Sequence, residues 1–167
     1  MGLHSLWESM VPEIEIEQYN LYTNHKAEYI NNLEQTVWNT IRHSYELTKD
    51  VFEKEIEVTK QFVDTTKYRL QIRRGKEVKS YTSNFAKAYS KALGNTINEQ
   101  LLNSSKMIAD FWYTAWVDAG KPDLSSLLQQ PFEKNDKEQL KLEVKAWKKN
   151  ELLMKQLLIS KKEKPQQ

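Results

Sequence analysis

The chain has 167 residues, of which 39% are hydrophobic, 29% charged and 11% aromatic, with a formal net charge of +2. That length suits one domain with a real core, the aromatic content excludes a disordered chain, and four Gly and four Pro are too few for the many tight turns of an all-β sandwich or barrel. The absence of cysteine excludes disulfides, Cys-based zinc fingers and a Cys nucleophile, and the small charge does not mark a nucleic-acid binder.

The class reads as all-α or nearly so, a helical bundle. At its start Leu3, Leu6, Trp7 and Met10 fall at helical spacing, and Pro12 limits the continuation of that helix. Glu13-Ile-Glu-Ile-Glu alternates like a strand and reads as an extended link. A long helical pattern begins near Ala27. Its residues Ile30, Leu33, Val37, Trp38, Ile41, Tyr45, Val51, Phe52 and Ile56 recur at threes and fours, the signature of one buried face.

Asp64-Thr-Thr reads as a stop. Residues 68–81 then form either a small β-hairpin or an ordered loop around Arg73-Arg-Gly-Lys-Glu. Seven basic residues face two acidic ones between Lys60 and Lys79, which reads as a solvated loop or, alternatively, a basic loop turned toward substrate. Ser83 or Asn84 can cap the next helix, which runs through Phe85, Ala88, Tyr89 and Ala92. Gly94-Asn-Thr either ends it or is bridged.

The segment from Ile97 to Gly120 is the most apolar, which implies a central helix with Trp112 and Trp116 in the core. Gly120 and Pro122 stop it. Residues 125–134 read as a linker containing Pro131, and 136–161 as a charged amphipathic helix with Leu140, Val144, Trp147, Leu152, Leu153 and Leu157 as its stripe. From Glu133 onward ten lysines stand against six acidic residues. That tail packs on the domain, meets a partner or lies at a membrane surface. No run of about eighteen apolar residues is present to span a membrane.

His4 and Glu8 carry the clearest chemistry. Four residues apart, they share one helical face, and imidazole nitrogen and carboxylate oxygen are both zinc ligands. The spacing also suits an ordinary surface pair, and zinc needs further donors. His25 lies in a polar link and His43 within the long amphipathic helix.

Gly2-Leu-His4-Ser-Leu-Trp7-Glu8-Ser9 resembles the Gly-x-His-x-x-Trp-Glu-Ser element of the zinc-dependent phospholipase C and single-strand nuclease superfamily. Phe111-Trp-Tyr-Thr-Ala-Trp-Val-Asp-Ala-Gly-Lys-Pro-Asp-Leu124 resembles the final helix and stop of its bacterial members. The resemblance covers residues 2–124 and implies the C-terminal half of an all-helical fold that cleaves a phosphodiester with a cluster of Zn2+ ions, with His4 and Glu8 as ligands to one of them. Trp7 points away from that pair.

The family's N-terminal Trp and its His-x-x-x-Asp ligand pair have no counterpart here. The resemblance therefore implies a fragment, residues 1–124 as a partial domain and 125–167 as linker and helix, inactive alone. Its partners would be the missing N-terminal half and a phospholipid or nucleic-acid substrate. Without that half the face of residues 97–119 should be bare, favouring self-association. No leader precedes Gly2, so the chain as written would stay in the cytoplasm, whereas relatives are commonly exported. The alternative is a non-catalytic helical interaction module without a complete metal site.

Overall fold

A computed structural model describes residues 2–73, 75–125 and 133–158. The fold is mostly helical with one small antiparallel hairpin. The described residues gather into two compact units: 2–19 with 37–97, and 20–36 with 98–158.

In the first unit the chain enters through α1 (Leu3–Ser5), a π-helical turn (Leu6–Met10), α2 (Val11–Glu15) and a 3-10 turn (Ile16–Gln18). The supposed extended link is thus helical. Pro12 stands in the first turn of α2, directly after the π-helical turn; such wide turns interrupt the regular ladder where a proline ring needs room. The wide turn just before it is closed by Val11 N–H donating to the Leu6 carbonyl. Leu6 and Val11 are fully buried, and α2 packs on α5.

Helix α3 (Leu33–Thr59) begins later than the periodicity suggested. Asn32 Oδ1 accepts from Gln35 N–H at 2.9 Å, an N-cap that fixes the start. The expected single buried face is also corrected. Val58 is the one buried residue of α3, whereas Trp38, Ile41, Tyr45, Phe52 and Ile56 are exposed.

After α4 (Asp64–Lys67), β1 (Tyr68–Arg73) pairs antiparallel with β2 (Lys76–Tyr81), from Tyr68 opposite Tyr81 to Arg73 opposite Lys76. The hairpin alternative is the one formed. Gly75 adopts φ +73 at its turn, which Gly takes without steric cost; Arg74 lies outside the described residues. Thr82, one residue ahead of the expected caps, closes α5 (Ser83–Leu93): its hydroxyl oxygen accepts from Phe85 N–H at 3.3 Å and donates to the Thr66 carbonyl at 2.6 Å.

Beneath the hairpin, buried Lys67 holds the unit together. Its Nζ donates to Glu55 Oε1 and Thr59 Oγ1, each at 2.7 Å, and sits 5.1 Å, 5.0 Å and 5.7 Å from the rings of Tyr68, Phe85 and Tyr81. Burial opposes its charge, but hydrogen bonds with Glu55 and Tyr68 prevail and hold the ammonium above its ordinary range. Phe85 and Tyr89 are fully buried, and Tyr89 donates to the Val51 carbonyl at 2.8 Å.

In the second unit, irregular residues 20–32 lie along α6 (Thr96–Asp118), and side chains of α6 take the place of helical partners. Asn98 Oδ1 accepts from Asn20 N–H at 2.8 Å while its Nδ2 donates to the Asn20 carbonyl at 2.9 Å. Asp110 Oδ1 accepts from Glu28 N–H at 2.8 Å, and Thr114 Oγ1 accepts from Ile30 N–H at 2.8 Å. Backbone donors outside a helix ladder need other partners, and α6 supplies them here, so no helix begins at Ala27.

Asn98 and Thr114 are buried, so this face of α6 is a polar seam. Trp112, expected in the core, is 76% exposed, and Leu101 and Ile108 are exposed too. Trp116 is half-buried, with its indole N–H donating to the Pro122 carbonyl at 3.1 Å. Gly120 at φ +80 ends the helix region as anticipated.

Helix α7 (Lys134–Lys148) is shorter than the expected 136–161. Asn150, with φ +55, leads into turns through Leu158; residues 159–161 and the predicted linker residues 126–132, including Pro131, lie outside the described residues. Trp147 anchors α7 in its unit, donating to the Leu21 carbonyl at 3.0 Å with its ring edge-on to Tyr22 at 4.9 Å.

Candidate metal centre

His4 lies in α1 and Glu8 in the π-helical turn that follows. Such turns recur at functional positions; here the turn precedes Pro12. Leu6, between the two, is driven into the core, which turns the opposite side of the segment outward. The His4 and Glu8 side chains are accordingly 79% and 54% exposed, with Nε2 and Oε2 3.2 Å apart.

That separation has three physical meanings. With a protonated imidazole it is a surface ion pair, weak because water screens it. With a neutral imidazole it is either an Nε2–H hydrogen bond to the carboxylate or, with the proton on Nδ1, a spacing near that of two donors on one tetrahedral zinc, which at about 2.0–2.1 Å from the ion stand about 3.3–3.4 Å apart. The pair therefore fits half of a zinc ligand set. Among the described residues no group of three His, Cys, Asp or Glu side chains could hold an ion, so the remaining donors of a closed site would come from elsewhere.

The other histidines are not brought to this pair. His25, placed by the sequence in a polar link, has Nε2 2.7 Å from Asp110 Oδ1, both side chains being about a fifth exposed. The same Asp110 oxygen receives Glu28 N–H. This His–Asp pair is a fastening of the irregular segment, and sequence reading missed it because its members are 85 residues apart. His43 is an exposed residue of α3.

Sequence reading also missed a polar cleft in the first unit, of about 480 Å³, lined by residues including Glu15, Tyr19, Lys87, Ser90 and Lys91. Glu15 and Tyr19 are buried there. Burial, then the nearby Glu15 carboxylate, pushes the Tyr19 hydroxyl up to about 12. The cleft joins buried acid to surface lysines but presents no nucleophile–base pair.

No helix among the described residues is long and apolar enough to cross a membrane. Comparison with models of known protein families, with curated proteins and with solved structures found no match.

Proposed function

We propose that the chain is part of a zinc-dependent phosphodiester hydrolase of the phospholipase C or single-strand nuclease kind. In this reading it corresponds to the C-terminal part of that fold and contributes one partial zinc site. The observation that supports it is the His4–Glu8 geometry: two exposed donors, 3.2 Å apart, set at the bite of a tetrahedral ion. The superfamily resemblance at residues 2–9 and 111–124 points the same way.

Bound zinc would supply an acidified water and charge neutralisation for the phosphate. This chain's own part is to bind and orient. The π-helical turn fixes the spacing of the two donors, and Leu6 anchors the turn from below. The missing N-terminal half, with its own His and Asp donors, would complete the ligand set, so the chain by itself should be inactive. Whether the ester belongs to a phospholipid or a nucleic acid is decided by surfaces that half would share.

The test is complementation. A chromogenic phosphodiester should be hydrolysed when the chain is mixed with a separately made N-terminal half of a relative, and His4→Ala should remove the activity. Activity that is equally restored with His4→Ala would overturn the assignment.

The second reading, a non-catalytic interaction module, is favoured by one specific feature. Large apolar side chains stand exposed along α3 and α6, as expected of surfaces that meet a partner. It predicts no hydrolysis in the complementation assay whatever the metal content.

A further inference from the structure

Helix α3 carries a second apolar stripe that its unit leaves bare. Toward the interior it turns Val58, which is buried, and Leu47 and Val51, which are half-buried. Roughly a third of a turn round the helix, Trp38, Ile41, Tyr45, Phe52 and Ile56 are each between 50% and 76% exposed. At 3.6 residues per turn the five fall within an arc of about 60° and extend for about 27 Å. Isolated exposed apolar residues need no explanation. Five large ones in line mark an interaction surface.

The charges beside the stripe say what fits it. Arg42, Glu46, Lys49 and Glu53 occupy an adjoining arc of about 60° along one edge, and their signs alternate. The other edge carries Ser44, Thr48 and Glu55, the last already paired with Lys67. Read in reverse, plus-minus-plus-minus becomes minus-plus-minus-plus. A second copy of α3 laid antiparallel, about a two-fold axis between Leu47 and Thr48, therefore sets Arg42 against the partner's Glu53 and Glu46 against the partner's Lys49. The same axis leaves the partner's Phe52 about 3 Å along the helix from the level of Ile41, and the partner's Ile56 about 1.5 Å from the level of Trp38, within reach of these large side chains. A parallel copy would oppose like charges and is disfavoured.

We propose that this stripe is a homodimer interface, in which α3 of one protomer packs antiparallel on α3 of its partner. Self-complementarity of one patch under a two-fold axis is what an isologous interface requires. The inference uses no metal ligand and stands or falls apart from the zinc reading.

Sedimentation velocity and light scattering on the full chain, with and without a chelator, test it. The wild type should dimerise reversibly at micromolar concentration in either condition. Ile41→Glu should raise the dissociation constant by about tenfold or more, the size expected for placing a charge in the apolar seam. R42E/K49E makes the charged edge wholly acidic and E46K/E53K makes it wholly basic. Each variant alone should be monomeric with unchanged helical circular dichroism, and an equimolar mixture should form the heterodimer. A wild type that stays monomeric overturns the proposal. So does a dimer that both charge variants form as readily as the wild type, with no preference on mixing.

Discussion

Replacing Lys67 by Met would remove one partner of a nearly buried ion pair and leave the shape of its stem. Lys67 is 8% exposed and Glu55 17% at the side chain, with Nζ and Oε1 2.7 Å apart. Breaking such a pair costs about 3–5 kcal/mol, because the remaining charge stays desolvated. Residual access of water to Glu55, and the Thr59 hydroxyl 3.3 Å from its Oε1, place the expected loss near the lower end, about 3 kcal/mol. For a unit of this size that lowers the melting temperature by about 10–20 °C. The double variant Glu55→Met/Lys67→Met should recover most of the loss, since two apolar side chains leave no orphaned charge. Urea unfolding followed by far-ultraviolet circular dichroism measures both. A single variant within about 0.5 kcal/mol of wild type, the range of ordinary surface substitutions, would refute the reasoning; so would a double variant no better than the single.

Other expectations follow from the same structure. Lys67, Tyr19, Tyr81 and Tyr89 all have their ionisation raised by the fold, so the folded chain holds protons that the unfolded chain releases. The sign of linkage then makes that stability fully present below about pH 10 and lost as pH rises beyond it; unfolding free energies measured from pH 7 to 12 should be flat first and fall late. Thr82→Ala removes a helix cap that also donates to the Thr66 carbonyl and should cost about 1–2 kcal/mol, with Thr82→Ser recovering most of it in the same urea assay. Gly94 has φ +62 and ψ −129, backbone closed to L-residues, so Gly94→Ala should cost about 1–3 kcal/mol although nothing lies within 4 Å of the added carbon.

What the residues announced in advance was the local chemistry. Helical periodicity and the stop at Gly120 depend on a few neighbours and were legible; at Gly94 and around Gly75 the same local signals left two alternatives each, of which the helix break and the hairpin formed. Most of the failures trace to partners distant in sequence. Residues 27–32 look helical by spacing, yet their backbone bonds to Asp110 and Thr114, more than 80 residues away. Pro12 looked like a terminator, but the π-helical turn ahead of it admits the ring. The stripe of α3 has the right period for burial, and period alone cannot say which copy of which chain does the burying. At the candidate site the pairing of His4 with Glu8 was legible because it is local; donors that would complete the proposed zinc site lie beyond the reach of any spacing rule.

The central claim is that His4 and Glu8 form a metal-binding pair, and the most direct measurement is a zinc titration of the chain followed by imidazole nitrogen resonances. His4 should shift first, through Nε2, ahead of His25 with its Asp110 partner and ahead of His43, and Glu8→Gln should weaken that response several-fold. A His4 resonance that stays still while another histidine responds, or a response indifferent to Glu8→Gln, would contradict the account.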